Sequence, residues 1–280
     1  MGETVYLNGA FVPIEKALVP VEDRGYQFAD GIYEVIRVYG GGPFRLKPHL
    51  DRLERSASAI ELSLPPRAEI EAAADELLRR NNLTEAGIYL QVTRGVAPRQ
   101  HLIPEGIAPT VVMTARAVSA PNAEIWQRGV KALTVPDGRW ELCHVKSVGL
   151  LFNTLAKRQA HRAGAFEAIF VRDGIVTEGS SSNLFALIDG VLFTHPRDNH
   201  ILAGITRGAA IEVAEQLGHP LREEKFTNDD LRRAQEVFFS SSIVEIVPVV
   251  SIDGRPVGRG VPGPVTLGIR EAFEALTKKE

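Results

Sequence analysis

Four of the six dipeptides in which Asn or Asp precedes Gly constrain the chain more than any other feature. They are Asn8-Gly9, Asp173-Gly174, Asp189-Gly190 and Asp253-Gly254. These residues tolerate the positive φ angles that a two-residue turn between antiparallel strands requires. The first stands between Val5-Tyr6-Leu7 and Ala10-Phe11-Val12 and predicts a hairpin at the start of the chain. We expect tight turns at the two middle dipeptides and a last hairpin at the fourth.

Runs of apolar residues with helical spacing alternate with short runs of β-forming residues. The helical pattern predicts helices over residues 49–62, 68–81, 148–163, 206–217 and 265–278. The β-rich runs predict strands over residues 87–94, 110–115, 130–135, 167–171, 184–188 and 191–194. A second hairpin is expected at Gly40-Gly41-Gly42, between strands over 33–39 and 44–46. The mixture predicts an α+β fold whose first half is an antiparallel sheet with two helices.

The stretch Val118-Ser119-Ala120-Pro121-Asn122 is the best candidate for a linker, because it is mostly small and is broken by proline. A chain of 280 residues is long enough for two modest domains. We therefore predict an N-terminal α+β domain over residues 1–118, a linker over 119–122 and a C-terminal domain over 123–280.

Composition excludes several classes of function. Hydrophobic residues make up 44% of the chain, enough for a large core, and the net charge of -3 gives no sign of nucleic-acid binding. Cys143 is the single cysteine, which excludes an intramolecular disulfide and a multi-cysteine metal site, and no metal site is predicted. The N-terminus shows no secretory pattern, and no apolar run is long enough to span a bilayer. A soluble cytoplasmic protein is the expectation.

Two motifs about thirty residues apart carry candidate chemistry. Lys146 lies in the run Cys143-His144-Val145-Lys146-Ser147, and Glu178 lies in Thr177-Glu178-Gly179-Ser180-Ser181-Ser182-Asn183. Pyridoxal phosphate chemistry needs an amine to hold the aldehyde and an acidic group to keep the pyridine nitrogen protonated. Taken alone, however, a lysine after a strand is far more often a solvated surface residue.

Several further motifs, in a fixed order, make the pattern specific. They are the stretch from Val21 to Val35, His49-Leu50-Asp51-Arg52-Leu53, the stretch from Thr93 to His101, Gly204-Ile205-Thr206-Arg207 and Ser240-Ser241-Ser242. Together with the lysine and glutamate motifs, they resemble the fold-type IV, or class IV, pyridoxal-phosphate-dependent aminotransferases across nearly the whole chain. Within that family the pattern is most similar to the D-amino-acid aminotransferases.

The resemblance implies a cofactor site for pyridoxal 5'-phosphate. It makes Lys146 the Schiff-base and catalytic lysine, and Glu178 the partner of the pyridine nitrogen. Leu202 would pack on the ring face. The phosphate would be bound by a group of donors that is partly a helix N-terminus: Arg52, Ile205, Thr206, Ser241 and Ser242.

A basic loop is the sharpest indication of the substrate. In Pro98-Arg99-Gln100-His101, alternate positions of an extended segment can direct both basic side chains towards one point. With Tyr33, they could hold an α-carboxylate. In the family that this run resembles, the arginine and histidine reach into the site of the other subunit. The resemblance therefore implies a homodimer whose active site lies between the domains and borrows Arg99 and His101 from the partner.

The resemblance implies transfer of an amino group from a D-amino acid to a 2-oxo acid, in the manner of D-alanine and 2-oxoglutarate, with pyruvate as another acceptor. Phe152 and Asn153 are instead similar to branched-chain L-aminotransferases, and Ile243 and Val244 replace a more polar pair. A branched-chain L-aminotransferase and an aminodeoxychorismate lyase, both of the same fold, are the alternatives. A protein that binds the cofactor without catalysis is a third.

Overall fold

The structure, a computed structural model, describes residues 3–119 and 123–279. These residues cluster into two compact units. The first runs to Ser119 and also includes Val145–Gly149, and the second comprises residues 123–144 and the stretch from Leu150 to Lys279.

The first unit is a six-stranded antiparallel sheet with two long helices. Its strands are β1 (Thr4–Leu7), β2 (Ala10–Pro13), β3 (Gly31–Tyr39), β4 (Gly42–Pro43), β5 (Ala86–Thr93) and β6 (Thr110–Ala117). The strand order is β2-β1-β6-β5-β3-β4. The helices are α1 (Arg24–Phe28), α2 (Leu46–Ala59) and α3 (Arg67–Asn81), and a 3-10 turn covers Ile14–Lys16. Apolar residues of α2 and α3 share one buried core with the sheet.

The second unit is a nine-stranded mixed sheet with five helices among the described residues. Its strands are β7 (Val130–Pro136), β8 (Glu167–Arg172), β9 (Ile175–Gly179), β10 (Asn183–Ile188), β11 (Val191–Thr194), β12 (Leu221–Glu223), β13 (Glu236–Ser241), β14 (Glu245–Ile252) and β15 (Arg255–Pro256). Its helices are α4 (Ala123–Arg128), α5 (Leu151–Arg162), α6 (Ile205–Gln216), α7 (Asn228–Arg232) and α8 (Pro264–Thr277). The strand order is β12-β11-β10-β13-β14-β7-β8-β9, with β15 paired to β14. The pairs β11–β12, β14–β7 and β7–β8 are parallel.

The predicted turns at the four dipeptides are confirmed. At each, both residues have positive φ, from 47° at Asn8 to 87° at Gly9. The predicted helix over 68–81 differs from α3 by one residue at its start. The helices predicted over 206–217 and 265–278 are each shifted by one residue from α6 and α8.

Other predictions need correction. The predicted strand over 44–46 is absent, since β4 ends at Pro43 and α2 begins at Leu46, three residues before the predicted start of that helix. The helix predicted from residue 148 begins at Leu151, because the Val148 N–H donates to the Gly31 carbonyl in a strand-like contact. The pattern also missed several short or irregular elements: α1, α4, α7, β9, β12 and β14.

The domain boundaries also differ from the prediction at one segment. The prediction places Lys146 in the C-terminal domain, but Val145–Gly149 belongs to the first unit. Backbone hydrogen bonds from Tyr33 to Lys146 and from Val148 to Gly31 attach this segment to β3. Of the predicted linker, residues 120–122 lie outside the described residues. Within the part that is described, no helix is long and apolar enough to cross a bilayer.

Candidate active site

Lys146 lies on the short segment that pairs with β3. The Tyr33 N–H donates to the Lys146 carbonyl at 3.0 Å, and the Lys146 N–H donates to Ser56 Oγ at 3.2 Å. Val145 anchors the segment in the core of the first unit. The side chain of Lys146 is half-buried, with Nζ 4.3 Å from the centroid of the Tyr33 ring. The amine is thus held on the face of an aromatic ring, a contact that favours a cation.

Arg52 is part of a buried network that the sequence did not predict. Its Nε and Nη2 donate to Glu34 at 2.8 and 2.7 Å, and His49 Nδ1 lies 2.7 Å from Glu34 Oε2. All three side chains are buried. Burial opposes ionisation of Glu34, but Arg52 and His49 outweigh it and lower the pKa of that carboxyl to about 2. Burial also lowers the pKa of His49, and the charges of Arg52 and Lys146 act in the same direction.

Glu178 is buried near the end of β9 and is surrounded by donors. Arg139 Nη1 donates to its Oε1 at 2.6 Å, and Asn183 Nδ2 donates to Oε2 at 2.9 Å. The Leu202 N–H donates to both oxygens, at 3.2 and 3.1 Å. Burial nevertheless raises the pKa of Glu178 to about 7, against the opposing effect of Arg139.

Arg139 is shared between two carboxylates. Its Nε and Nη2 donate to Asp137 at 3.0 and 2.9 Å, while Nη1 binds Glu178. Burial disfavours the cation, but the two carboxylates outweigh it and raise the pKa of Arg139. Leu202, whose N–H reaches Glu178, also offers its carbonyl to Asn183 at 2.8 Å. Glu178 and Leu202 therefore belong to one hydrogen-bonded group in the second unit.

The serine turn after Glu178 is organised by a second buried carboxylate, Glu167. Ser180 Oγ donates to Glu167 Oε1, and Ser181 Oγ donates to Oε2 at 2.8 Å. Lys157 Nζ lies 3.2 Å from the same Oε2. Hydrogen bonds to Glu167 of β8 therefore fix the turn. Glu178 precedes the turn in the chain, and Asn183 follows it.

The remaining phosphate candidates of the second unit lie at the start of α6 and at the end of β13. Helix α6 begins at Ile205 after Gly204, which has no side chain to cap the first N–H groups. Thr206 is buried in that first turn, and α6 packs against β13, which ends at Ser241. Beside them, the buried hydroxyl of Ser240 lacks a hydrogen-bond partner among the described residues. Such a hydroxyl and free helix N–H groups suit an anion.

Arg99 and His101 lie on an exposed loop and contact the same aromatic ring. The Arg99 guanidinium is 4.6 Å from the Phe28 ring centroid, and the His101 ring packs edge-on against Phe28 at 5.8 Å. Arg24 Nη1 donates to the Gln100 carbonyl between them at 2.8 Å. Both basic side chains thus contact Phe28, and their role at a substrate carboxylate stays a prediction. Tyr33, the third predicted partner, is instead observed beside Lys146.

Five residues that organise these groups were not predicted from the sequence: Glu34, His49, Asp137, Arg139 and Glu167. His49 stands three positions before Arg52 on one face of α2, and this i, i+3 spacing was a usable signal. Glu178, the second carboxylate that Arg139 binds, is 39 positions away, and the partners of Glu167 lie on α5 and in the serine turn. Nothing in the local sequence indicates these contacts.

Comparison with known proteins identifies the family of the chain. Residues 31–252 match the model of the family described as Amino-transferase class IV. The chain is 46% identical over 278 residues to a D-alanine aminotransferase of Listeria monocytogenes, covering 98% of this chain and 96% of that protein. It is 44% identical over 271 residues to a D-alanine aminotransferase of Bacillus licheniformis, covering 96% and 95%.

A solved structure gives the same result for the fold. The branched-chain amino acid aminotransferase from Escherichia coli superposes with a TM-score of 0.91 at 32% identity. The superposition covers 99% of this chain and 95% of that one. The predicted α+β, fold-type IV architecture is therefore confirmed, and the chain belongs to the class IV aminotransferase family.

Proposed function

We propose that the protein is a pyridoxal 5'-phosphate-dependent aminotransferase that moves amino groups between D-amino acids and 2-oxo acids, in the manner of D-alanine and 2-oxoglutarate. The observation that carries the substrate is the 44–46% identity, over nearly the full length, to proteins named D-alanine aminotransferase. The solved structure named as a branched-chain enzyme is 32% identical. The D-amino-acid interpretation therefore has the stronger support.

The residues fit the cofactor. Glu178 is a buried carboxyl that burial makes costly to ionise, so a pyridinium N–H beside it would stabilise the charged form. Leu202 would contact the ring face, and the N–H groups of Ile205 and Thr206 would receive the phosphate. The buried Ser240 hydroxyl supports an acceptor at this place. When bound, the cofactor supplies an electron sink for the carbanion that forms at the substrate Cα.

Ser241, Ser242 and Arg52 complete the proposed phosphate site. The serines lie at and just after the end of β13, the strand on which α6 packs. Arg52 belongs to the first unit, where two bonds to Glu34 fix the orientation of its guanidinium. A fixed planar fork is well suited to phosphate because less rotamer entropy is lost on binding.

Lys146 is proposed to hold the cofactor covalently and then to move a proton. Its Nζ would accept the proton from the substrate Cα and hold it within the site for the later proton transfer. The step requires a neutral amine, held 4.3 Å from the centroid of the Tyr33 ring. Reduction with borohydride followed by peptide mapping should place the label on Lys146; a label on Lys131 or Lys157 would contradict the assignment.

Arg99 and His101 are proposed to bind the substrate carboxylate together with Tyr33. In this structure the two basic side chains contact Phe28, and the third donor lies with Lys146. A homodimer in which the loop reaches the partner's site would unite them. Leu102, the residue after His101, is 77% exposed, and Tyr26, on the same helix as Phe28, is 80% exposed. A subunit interface would bury such apolar side chains.

Mixing two inactive variants tests this arrangement. If the loop acts in trans, a mixed dimer of Arg99→Ala and Lys146→Ala protomers places both defects in one site and leaves the other intact, so activity should reappear. If the loop acts in cis, each site keeps one defect and activity stays low. Sedimentation of the unmodified protein should give a dimer, and a monomer at working concentrations would contradict the proposal.

The substrate itself is tested by a panel of half-reactions. The enzyme is mixed with the D- and L-forms of alanine, glutamate and leucine, and the absorbance of the bound cofactor is followed. We expect a rapid change with D-alanine and little with L-leucine. The opposite result would favour the branched-chain alternative, which Phe152 and Asn153 indicate in the sequence. In the structure, Asn153 Nδ2 donates to the Ser180 carbonyl of the serine turn at 2.9 Å. Cytoplasmic location stays a prediction.

A further inference from the structure

A cluster of potential metal ligands lies in the loop between β11 and α6. Within the described part of the chain, His195, Asp198 and His200 bring one ligand atom each to within 4.8 Å of one another. His195 Nε2 is 3.2 Å from Asp198 Oδ2, and His200 Nδ1 is 3.6 Å from the same oxygen. Tetrahedral Zn²⁺ with bonds of about 2.0–2.1 Å sets its ligand atoms about 3.3 Å apart. The observed spacing is close to that arrangement.

Both histidines have the nitrogen that points away from Asp198 bound to an acceptor. His195 Nδ1 lies 2.8 Å from the Val176 carbonyl, which can only accept, so this nitrogen carries the proton. His200 Nε2 lies 3.0 Å from the Glu141 carboxylate. In a neutral imidazole the second nitrogen then presents a lone pair, which is how outer hydrogen bonds orient metal-binding histidines. The other nitrogen of each ring, Nε2 of His195 and Nδ1 of His200, faces Asp198.

The aspartate is oriented in the same manner. Its Oδ1 accepts the His200 backbone N–H at 2.9 Å, which leaves Oδ2 towards the two imidazoles. The Asn199 side chain donates to the Glu141 carbonyl at 2.9 Å, and the Asn199 carbonyl accepts the Cys143 N–H at 2.8 Å. The loop is thus tied at Asn199, between two of its ligands, so little order would have to be gained there on binding.

We propose that His195 Nε2, Asp198 Oδ2 and His200 Nδ1 form a binding site for a divalent transition-metal ion of the Zn²⁺ type. Two imidazoles and one carboxylate are a donor set that suits Zn²⁺ and leaves a fourth position for water. The site takes no part in the proposed transamination, and its failure would leave that proposal untouched.

Lys225 provides an internal test of the site. Its Nζ lies 3.4 Å from Asp198 Oδ2, the oxygen that both imidazoles face. A bound dication would have to displace or repel this ammonium. Replacing Lys225 with Met keeps the length of the side chain and removes the charge, so metal affinity should rise. A cluster that serves only as a hydrogen-bonded loop would show no such gain.

The experiment is a titration of the tag-free holoenzyme with Zn²⁺ by calorimetry in a buffer that does not bind metal. Unmodified protein should take up one Zn²⁺ per chain with saturation. Asp198→Asn and His200→Ala should each weaken binding by about tenfold or more, and Lys225→Met should tighten it. His161→Ala is the matched control, because His161 is an exposed histidine of the same unit and lies outside the cluster. Co²⁺ in place of Zn²⁺ should give the visible absorption of a tetrahedral site.

Four results would each overturn the proposal. The first is no saturable uptake by the unmodified protein, and the second is uptake that His200→Ala leaves unchanged. The third is uptake that His161→Ala reduces as much as His200→Ala does, and the fourth is a Lys225→Met protein that binds Zn²⁺ no more tightly than the unmodified protein. Circular dichroism of each variant shows whether it is folded. If Asp198→Asn fails to fold, His200→Ala and Lys225→Met decide the matter, since both side chains are partly exposed and neither change removes a buried group.

Discussion

Two buried glutamates in this protein each bind an arginine, yet their acidities move in opposite directions. Glu34 has a pKa of about 2, whereas Glu178 has a pKa of about 7. Arg52 gives two nitrogen atoms to Glu34, and His49 adds a third bond. Arg139 gives one nitrogen to Glu178 and two to Asp137. The difference indicates that a dedicated arginine overcomes the cost of burial, while a shared one does not.

The contrast separates a structural carboxylate from a chemical one. Glu34 stays charged across the neutral range, so it can hold Arg52 in one orientation. Glu178 is close to its midpoint at neutral pH, and a new cationic donor can move it to the charged form. This is the property that a partner of a pyridine nitrogen needs. Changes at the two glutamates should therefore have different consequences.

The largest effect is expected on turnover. Glu178→Gln keeps the shape of the side chain but removes the charge that would hold the pyridinium proton. We expect the rate with D-alanine to fall by about 100-fold or more, as for the loss of one preorganised electrostatic group, while the cofactor stays bound. Glu215→Gln, an exposed glutamate on α6, is the control and should keep full activity. A normal rate in Glu178→Gln would mean that Glu178 is only a residue of the turn.

The next effect is expected on stability, at the other glutamate. Arg52→Met leaves Glu34 buried without its main partner and should reduce the free energy of unfolding of the apo-protein by about 3–5 kcal/mol. The double variant Arg52→Met/Glu34→Gln removes both charges and should recover part of that loss. Urea unfolding at pH 7 measures all three proteins. If Arg52→Met is as stable as the unmodified protein, the Arg52–Glu34 ion pair does not contribute to the free energy of unfolding as expected for a buried pair.

A smaller effect depends on pH. Because the folded protein keeps Glu178 protonated from its ordinary pKa of 4.5 up to about 7, it binds more protons than the unfolded chain in that window. Stability of the apo-protein should therefore fall as pH rises, by roughly 3 kcal/mol over the window. Glu34 acts in the opposite sense: its contribution is complete above 4.5 and is lost only as pH falls through about 2.

Urea unfolding between pH 4.5 and 7 tests this prediction on the apo forms of the unmodified protein and Glu178→Gln. The difference between their free energies of unfolding should change steadily with pH from 4.5 to about 7. A constant difference would show that Glu178 is already ionised in the folded apo-protein. The holoenzyme should show a weaker drift, because the proposed pyridinium partner stabilises the charged carboxylate.

The two networks also show what a sequence can reveal. Asn8-Gly9 and the regular spacing of α3 depend on neighbours in the chain, and both were predicted closely. The strand β14 was missed because Pro248, which cannot donate to a neighbouring strand, lies in its middle opposite Phe238. Its place between β13 and β7 is fixed by tertiary packing, which local preference does not encode.

The same reason explains the gaps in the predicted site. The motifs containing Lys146 and Glu178 are short, so their pattern can be recognised. Arg139 meets Glu178 across 39 positions of the chain, and Arg52 meets Glu34 across 18. A charged residue whose partner is so distant has no local signature. The sequence therefore indicated the chemical groups but not the residues that set their acidity.

The smallest predicted effect tests the cause of the contrast itself. If sharing of Arg139 keeps the pKa of Glu178 high, removing the competitor should lower it. Asp137→Asn keeps the side chain's shape and an oxygen that can accept from Arg139 and Thr177, but its charge is gone. Arg139 should then act mainly on Glu178, whose pKa should move down towards that of Glu34. The drift of stability with pH should shrink, and its midpoint should move to lower pH.

A double-mutant cycle with Glu178→Gln separates that pKa shift from any general loss of stability caused by Asp137→Asn. The effect of Glu178→Gln on the free energy of unfolding is measured once with Asp137 and once with Asn at that position. A stability loss common to both members of a pair then cancels. Glu34 allows the opposite test, in which a carboxylate loses a partner instead of gaining one. His49→Gln removes an imidazole from a carboxylate that keeps both bonds to Arg52, so the pKa of Glu34 should rise by less than the loss of Arg52 would raise it. If Asp137→Asn leaves the pH dependence of Glu178 unchanged, burial alone accounts for its acidity, and the sharing of Arg139 is only a feature of packing.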